Sequence, residues 1–491
     1  MLTPSDFRVL FQPSYCERRV WLEENKPELA IEDVEFKNLV VEKGQGLEKN
    51  HVDTLGPVEM PIYEPTDFPL GFEETLNLIN HKTPIIYQGV LISKDNKLLA
   101  IPDLLIYDRS IDQYIVRDVK LAVNLDNHPE IQYGLGLTTL IAAEILGYIP
   151  IIEVASGDGN VISDLTIPDN TEVICCLTRI QEIQNMDREP YEPVGWSKCG
   201  ECSFFNYCWN EAWNKQDIST IPAIEQGMAK VLISNGIKTW QDIIKIGIPK
   251  LAEIQFPRGK SNQKIGVIRS EKIVRQALCI TCNRFEKMAE LSLPQGYVKG
   301  QRPIVIFDIE NNIFDVGIQV NVYLWGLMIV NNQEQTTQIL IVSDPGECGD
   351  REGWKKFLGQ VSKIFKKYGD VPIIHYGSHE KTWVKNYISR YGDQDDIGDR
   401  IMNNMWDMYT NLTKCVTLPI PSYGLKQIEK FIGFKRTQEE YGGSWSIVKY
   451  NQYISSPSKE EAEEIIDQIR TYNGEDLLAT YLIYKWLEDN I

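Results

Sequence analysis

PIVIFDIE, residues 303–310, is an apolar run interrupted only by Asp308 and Glu310 near its end. A short, β-branched run of this kind reads as a buried strand. Side chains on a strand alternate between faces, so residues 308 and 310 share one. Two carboxylates side by side suit a two-cation phosphoryl-transfer site. Working outward, NVYLWGLMIV (321–330), residues 337–343 and VPIIHYG (371–377) read as further strands, and residues 459–487 as one long helix. Within that helix, Tyr472 and Asp476 are four apart and share a face. The block 296–491 is therefore expected to be α/β, with Asp308, Glu310, Tyr472 and Asp476 as candidate catalytic residues. Glu380, after the strand ending at His375, and Asp407 are further acids of this block.

The 491 residues are enough for about three domains. With 43% hydrophobic and 24% charged residues the composition is globular, which excludes a disordered tail protein, a collagen-like fibre and a disulfide miniprotein. No stretch approaches the ~18 apolar residues of a membrane helix, and MLTPSDFRVLFQ (1–12) has no secretory pattern. A cytoplasmic protein is expected. The net charge of −19 argues mildly against nucleic-acid binding. The charge is segregated, however: between Arg258 and Lys287 there are eight basic residues and only two acids. This strip (Arg258, Lys260, Lys264, Arg269, Lys272, Arg275, Arg284, Lys287) can hold a phosphate backbone; a solvated helix face is the competing reading. It falls in a block, 213–295, of short helices. There Asn235-Gly236 forms a turn, and Thr239 with Asp242 forms a capping box.

Block 1–212 opens with a helix over 32–55. The run IIYQGVLISKDNKLLAIPDLLIYDRSIDQYIVRDVKLAV (85–123) then alternates with period two between turn residues, as a β-meander does. A helix over 129–146 and a strand over 173–178 are expected next. Asp118 and Lys120 lie on one face of their strand, and Asp103 can meet them across the hairpin. Two carboxylates can hold Mg²⁺ or Mn²⁺, and the lysine can polarise a water.

Ten cysteines suggest metal ligands or buried small residues rather than disulfides. Cys199-x-x-Cys202, then Cys208, with Cys16 far upstream, offer four thiolates; a [4Fe–4S] cluster or zinc suits them by chemistry alone. Cys279-x-x-Cys282 is a further half-site or core.

Asp103, Asp118-Val119-Lys120 and Gln132 resemble the PD-(D/E)xK motif and half of the Gln-x-x-x-Tyr motif of RecB-type nucleases. Gly136 stands where that motif has tyrosine. Gly44-Gln45-Gly46-Leu47-Glu48 resembles the family's Gly-x-x-x-His, which implies Glu48 as a metal ligand, with His51 as its rival. Cys16-Glu17-Arg18-Arg19-Val20-Trp21-Leu22 and the four-cysteine spacing resemble the iron–sulfur clamp of that family. Asp308-x-Glu310 with Tyr472-x-x-x-Asp476 resembles 3′–5′ exonucleases of the ribonuclease H fold. There Glu380 stands where that class has aspartate, which implies it as the further acid of the site, with Asp407 as its substitute. As a whole, the chain resembles bacterial RecB-family nucleases with a C-terminal RNase H-like domain, and the middle block a degenerate helix-hairpin-helix module. The resemblance implies a two-headed metal-dependent DNA nuclease acting in repair or defence, with a structural [4Fe–4S] cluster. No P-loop is present, so unwinding would need a helicase partner. The rivals are one catalytic head with a binding module, or an adaptor with both sites lapsed.

Overall fold

The computed structural model describes all residues except 260, 295–296, 298–302, 313–319 and 439–441. Lys260 of the basic strip thus lies outside the described residues. The chain divides into two units, Met1–Ala212 and Trp213–Ile491.

In the first unit, five strands lie in the order Ile85–Tyr87, Leu104–Asp108, Gln113–Lys120, Ile152–Ser156, Val161–Ile162. The first three form an antiparallel meander, with Leu104 opposite Arg117. The helix Pro129–Leu146 then carries the chain over to Ile152–Ser156, which pairs parallel to Gln113–Lys120. A crossover helix is what a parallel pair requires. The helix buries Leu135, Leu137, Ile141 and Ala142 against Tyr114, Val116 and Val154 of the sheet.

Residues 173–178 are not a strand. They lie within the helix Asn170–Gln184, opened by a reciprocal capping box between Asp169 and Glu172. Its buried residues, Val173, Leu177, Ile180 and Ile183, recur every three or four positions. That helical period outweighs the strand preference of the local β-branched residues. The helix explains Gly136: a Cβ there would lie 2.7 Å from Val173 Cγ2. Close packing leaves no room for a tyrosine.

The second unit begins with helices Gln226–Ser234, Trp240–Glu253 (kinked at Gly247) and Val267–Cys282. They enclose a core of Ile218, Met228, Leu232, Ile243, Leu251 and Ile273. The Thr239–Asp242 capping box is present. A hairpin, Gln255–Arg258 with Ser261–Lys264, interrupts the helices; its mostly exposed, polar strands carry no alternating pattern to read.

A second five-stranded sheet follows, in the order Thr336–Val342, Asn321–Val330, Ile304–Asn312, Ile373–His375, Met405–Asp407. The first two pairings are antiparallel and the last two parallel. Along the central strand Val305, Phe307 and Ile309 face one core, with Trp325, Trp354 and Phe357. Ile304 and Ile306 face the other, with Met328, Leu477 and Ile483. The alternation therefore turns Asp308 and Glu310 toward the face covered by the long helix Lys459–Asn490.

Candidate active site and the other predicted clusters

The end of the central strand and the middle of the long helix bring three acids together. Asp308, Glu310 and Asp476 each offer a carboxylate oxygen within 4.8 Å of the others. Among the described residues they are the one group of three or more His, Cys, Asp or Glu to converge so closely. Close approach of helix and sheet depends on Gly326, opposite Asp308 on the neighbouring strand. A Cβ at 326 would fall 1.9 Å from Asn473 Oδ1. In the space left, Asn473 Nδ2 donates to Asp308 Oδ2 at 2.6 Å.

Burial and mutual repulsion set the electrostatics. The Glu310 carboxyl is pushed up to about 8 by burial and then by Asp476. That of Asp308 is held well above the usual range by burial, then by Asp476, Glu310 and Glu380. Two cations lean the other way. Lys426 Nζ lies 2.7 Å from Asp476 Oδ1. Arg436 also pairs with Asp476, while making a two-pronged contact with Glu429 at 3.0 and 2.7 Å. Tyr472 packs between them, its ring centroid 4.7 Å from Lys426 Nζ, 5.6 Å from Arg436 Cζ and 5.7 Å from the Trp445 ring. Burial, then Glu310, Asp476 and Asp308, raise its phenol far above the ordinary value.

Glu380 is buried, and Oε2 lies 3.4 Å from His375 Nδ1. Neither atom has a hydrogen-bond partner among the described residues. Its charge acts on Asp308, so it borders the cluster. Asp407 is occupied elsewhere: it caps the helix Met408–Cys415 through Thr410 and accepts from the Gly377 N–H at 3.1 Å. Sequence reading missed Asn473, Lys426, Arg436 and Glu429. Asn473 sits inside a segment already singled out; the others come from residues 425–436, and no local pattern ties that stretch to the strand.

In the first unit the hairpin brings Asp103, Asp118 and Lys120 together. The Asp103 N–H donates to Asp118 Oδ1 at 3.1 Å, and the Val119 N–H to Asp103 Oδ2 at 2.6 Å. Lys120 Nζ is 3.0 Å from Asp118 and 3.8 Å from Asp103. Burial and then Asp118 push Asp103 up to about 7. Burial opposes the charge on Lys120, but Asp118 and Asp103 outweigh it and raise its pKa. Glu48 accepts from Gln88 Nε2 at 3.1 Å, and its charge reaches Asp103 and Lys120. His51 turns away: its Nε2 lies 3.4 Å from Arg117 Nη1, and burial, then that guanidinium, lower its pKa. Gln132 spends its amide on the Leu125 carbonyl, 3.2 Å away, so it braces the loop before its helix rather than meeting the acids through a hydrogen bond.

The four cysteines are reduced and part-buried. Cys16 and Cys208 are both pushed up to about 12, mainly by burial, with the neighbouring thiols adding to it. No three of the sulfurs lie within 4.8 Å of one another among the described residues. Protein contacts already fasten the start of this unit to its end. Buried Arg18 pairs with Glu189 at 2.5 Å and with Glu211, and Trp21 Nε1 donates to the Met186 carbonyl at 2.9 Å. Cys279 is buried in the helix Val267–Cys282, whereas Cys282 is exposed.

A family model described as the RNase_H superfamily matches residues 305–488. Neither the comparison with curated proteins nor that with solved structures finds a match. Among the described residues no helix is long and apolar enough to cross a membrane. The matched span covers the second sheet and the helix bearing Tyr472 and Asp476, so this part of the chain is an RNase H-like domain of nuclease type.

Proposed function

We propose that the protein is a two-headed, metal-dependent DNA nuclease. The observation that carries the reading is the convergence of Asp308, Glu310 and Asp476 within an RNase H-like domain. These residues fit a hard divalent cation. The donors are all carboxylate oxygens, they repel one another in a buried site, and Glu380 Oε2 is buried beside them without a hydrogen-bond partner. Mg²⁺ or Mn²⁺ bound there would activate water and stabilise the charge of phosphodiester hydrolysis. Asn473 holds the carboxylate of Asp308, and Tyr472, buried beside the acids against Lys426 and Arg436, would orient a water for attack at a 3′ end.

The reading extends to the rest of the chain. A meander crossing over to a parallel strand, with Asp103, Asp118 and Lys120 on one hairpin, supports a PD-(D/E)xK head in residues 1–212, with Glu48 as the further ligand and Gln132 supporting the adjoining loop. Cys16, Cys199, Cys202 and Cys208 would hold a structural [4Fe–4S] cluster; four thiols that feel one another's charge support it. Residues 213–295 would position DNA backbone through the Arg258–Lys287 strip, with the exonuclease head in 296–491. A helicase or a defence or repair protein would supply unwinding.

The test is cleavage of end-labelled single- and double-stranded DNA with Mn²⁺ after anaerobic purification. Asp118→Ala should abolish one activity and spare the other, and Asp308→Ala should remove 3′ trimming alone, since distant sites act independently. Loss of all cleavage in both single variants would refute two independent heads. If Asp308→Ala changes nothing, the C-terminal domain is a binding module.

A further inference from the structure

Lys426 and Arg436 both pair with Asp476, yet they are built differently. The Arg436 side chain is 2% exposed and locked onto Glu429, itself 2% exposed. It has the fixed, two-pronged geometry of a structural anchor. Lys426 keeps 30% of its side chain exposed. Its ammonium stands over the Tyr472 ring, and its charge reaches Asp308 and Glu310 as well as Asp476. A flexible point charge, open to solvent, touching one acid of the cluster and near the other two, has more to do than hold a helix in place.

We propose that Lys426 is a further active-site residue of the RNase H-like domain: it pairs with Asp476 while no divalent cation is bound, and it contacts a non-bridging oxygen of the scissile phosphate when substrate is present. Arg436 is a positioning residue that keeps Asp476 aimed at the cluster throughout. The inference rests on the reading of Asp308, Glu310 and Asp476 as a cation site. Two demands follow from the geometry. Lys426 competes with a cation for Asp476, so removing its charge must tighten cation binding. It also offers charge to the phosphate, so removing it must slow cleavage. A lysine with only a structural role would weaken both together.

The experiment compares wild type, Lys426→Met and Lys426→Arg in the full chain, each carrying Asp118→Ala to silence the other candidate head. Free Mn²⁺ is titrated by electron paramagnetic resonance, without DNA. Thermal melting confirms folding. Single-turnover trimming of a 5′-labelled oligonucleotide gives rate and half-saturation. Lys426→Met should bind Mn²⁺ about five-fold more tightly, the scale of a partly exposed ion pair, while trimming on the order of 10²-fold more slowly at saturating Mn²⁺. Lys426→Arg should recover much of the rate. Weaker Mn²⁺ binding by Lys426→Met, or an undiminished trimming rate, would overturn the proposal. Failure of wild type itself to bind Mn²⁺ would instead refute the cation site on which it rests.

Discussion

Glu310→Gln should stabilise the metal-free protein. Glu310 is 7% exposed, and burial and Asp476 push its carboxyl up to about 8. The unfolded chain releases the same proton near its ordinary value of 4.5. Between those two values the folded state holds a proton that the unfolded state has lost. Folding stability therefore falls as pH rises from about 4.5 toward 8. pH 7 lies about two and a half pH units above the ordinary value, and each unit is worth about 1.4 kcal/mol, so the penalty there is roughly 3 kcal/mol. Glutamine keeps the shape, keeps hydrogen-bonding atoms for Ser446 and Asn473, and removes the charge. For a unit of this size the gain corresponds to a rise of roughly 5–10 °C in melting temperature. The assay is thermal melting in EDTA from pH 5 to 8, repeated with excess Mn²⁺. The gap between variant and wild type should be small at pH 5, grow with pH, and shrink when Mn²⁺ stabilises wild type through its carboxylates. A variant that melts at or below wild type at pH 7 in EDTA, or a gap that does not widen with pH, would refute the electrostatic account.

Other perturbations have equally definite outcomes. Gly326→Ala pushes a methyl into Asn473 and should cost about 1–3 kcal/mol and blunt the Mn²⁺-dependent rise in melting temperature; a neutral change would mean that the helix is not seated as described. Arg18→Ala removes a buried guanidinium shared by Glu189 and Glu211, while Glu189 keeps Lys26 and Tyr207, so the first unit should lose about 1–3 kcal/mol in a domain-resolved unfolding experiment while the second unit keeps its transition. Protein purified without oxygen should be brown, absorbing broadly near ~400 nm, and each of Cys16→Ala, Cys199→Ala, Cys202→Ala and Cys208→Ala should remove the colour. Stoichiometric zinc instead of iron in elemental analysis would dismiss the cluster.

What was legible in the sequence is what depends on local periodicity. Strand alternation places Asp308 and Glu310 on one face, and helical spacing places Tyr472 and Asp476 on another; the fold sets those two faces against each other. The meander with Asp103, Asp118 and Lys120 was legible for the same reason. Residues 173–178 were misread because β-branched residues dominate a short window, while the deciding pattern of Val173, Leu177, Ile180 and Ile183 runs beyond it. Lys426 and Arg436 were invisible because they reach Asp476 across 50 and 40 residues of chain. The role of Gly326 depends on pairing between strands and on a side chain 147 positions later. Such contacts exist only after the sheet and the long helix have packed.

The central claim, that Asp308, Glu310 and Asp476 form a divalent-cation site for cutting DNA, is tested most directly by single-turnover cleavage of a 5′-labelled single strand in the Asp118→Ala background. Mn²⁺ should be titrated against the protein with and without Asp308→Asn. The account predicts Mn²⁺-dependent shortening from the 3′ end that Asp308→Asn slows by at least ~10²-fold, with both proteins melting as folded chains. Equal shortening by the two proteins, or none by either at saturating Mn²⁺, would contradict it.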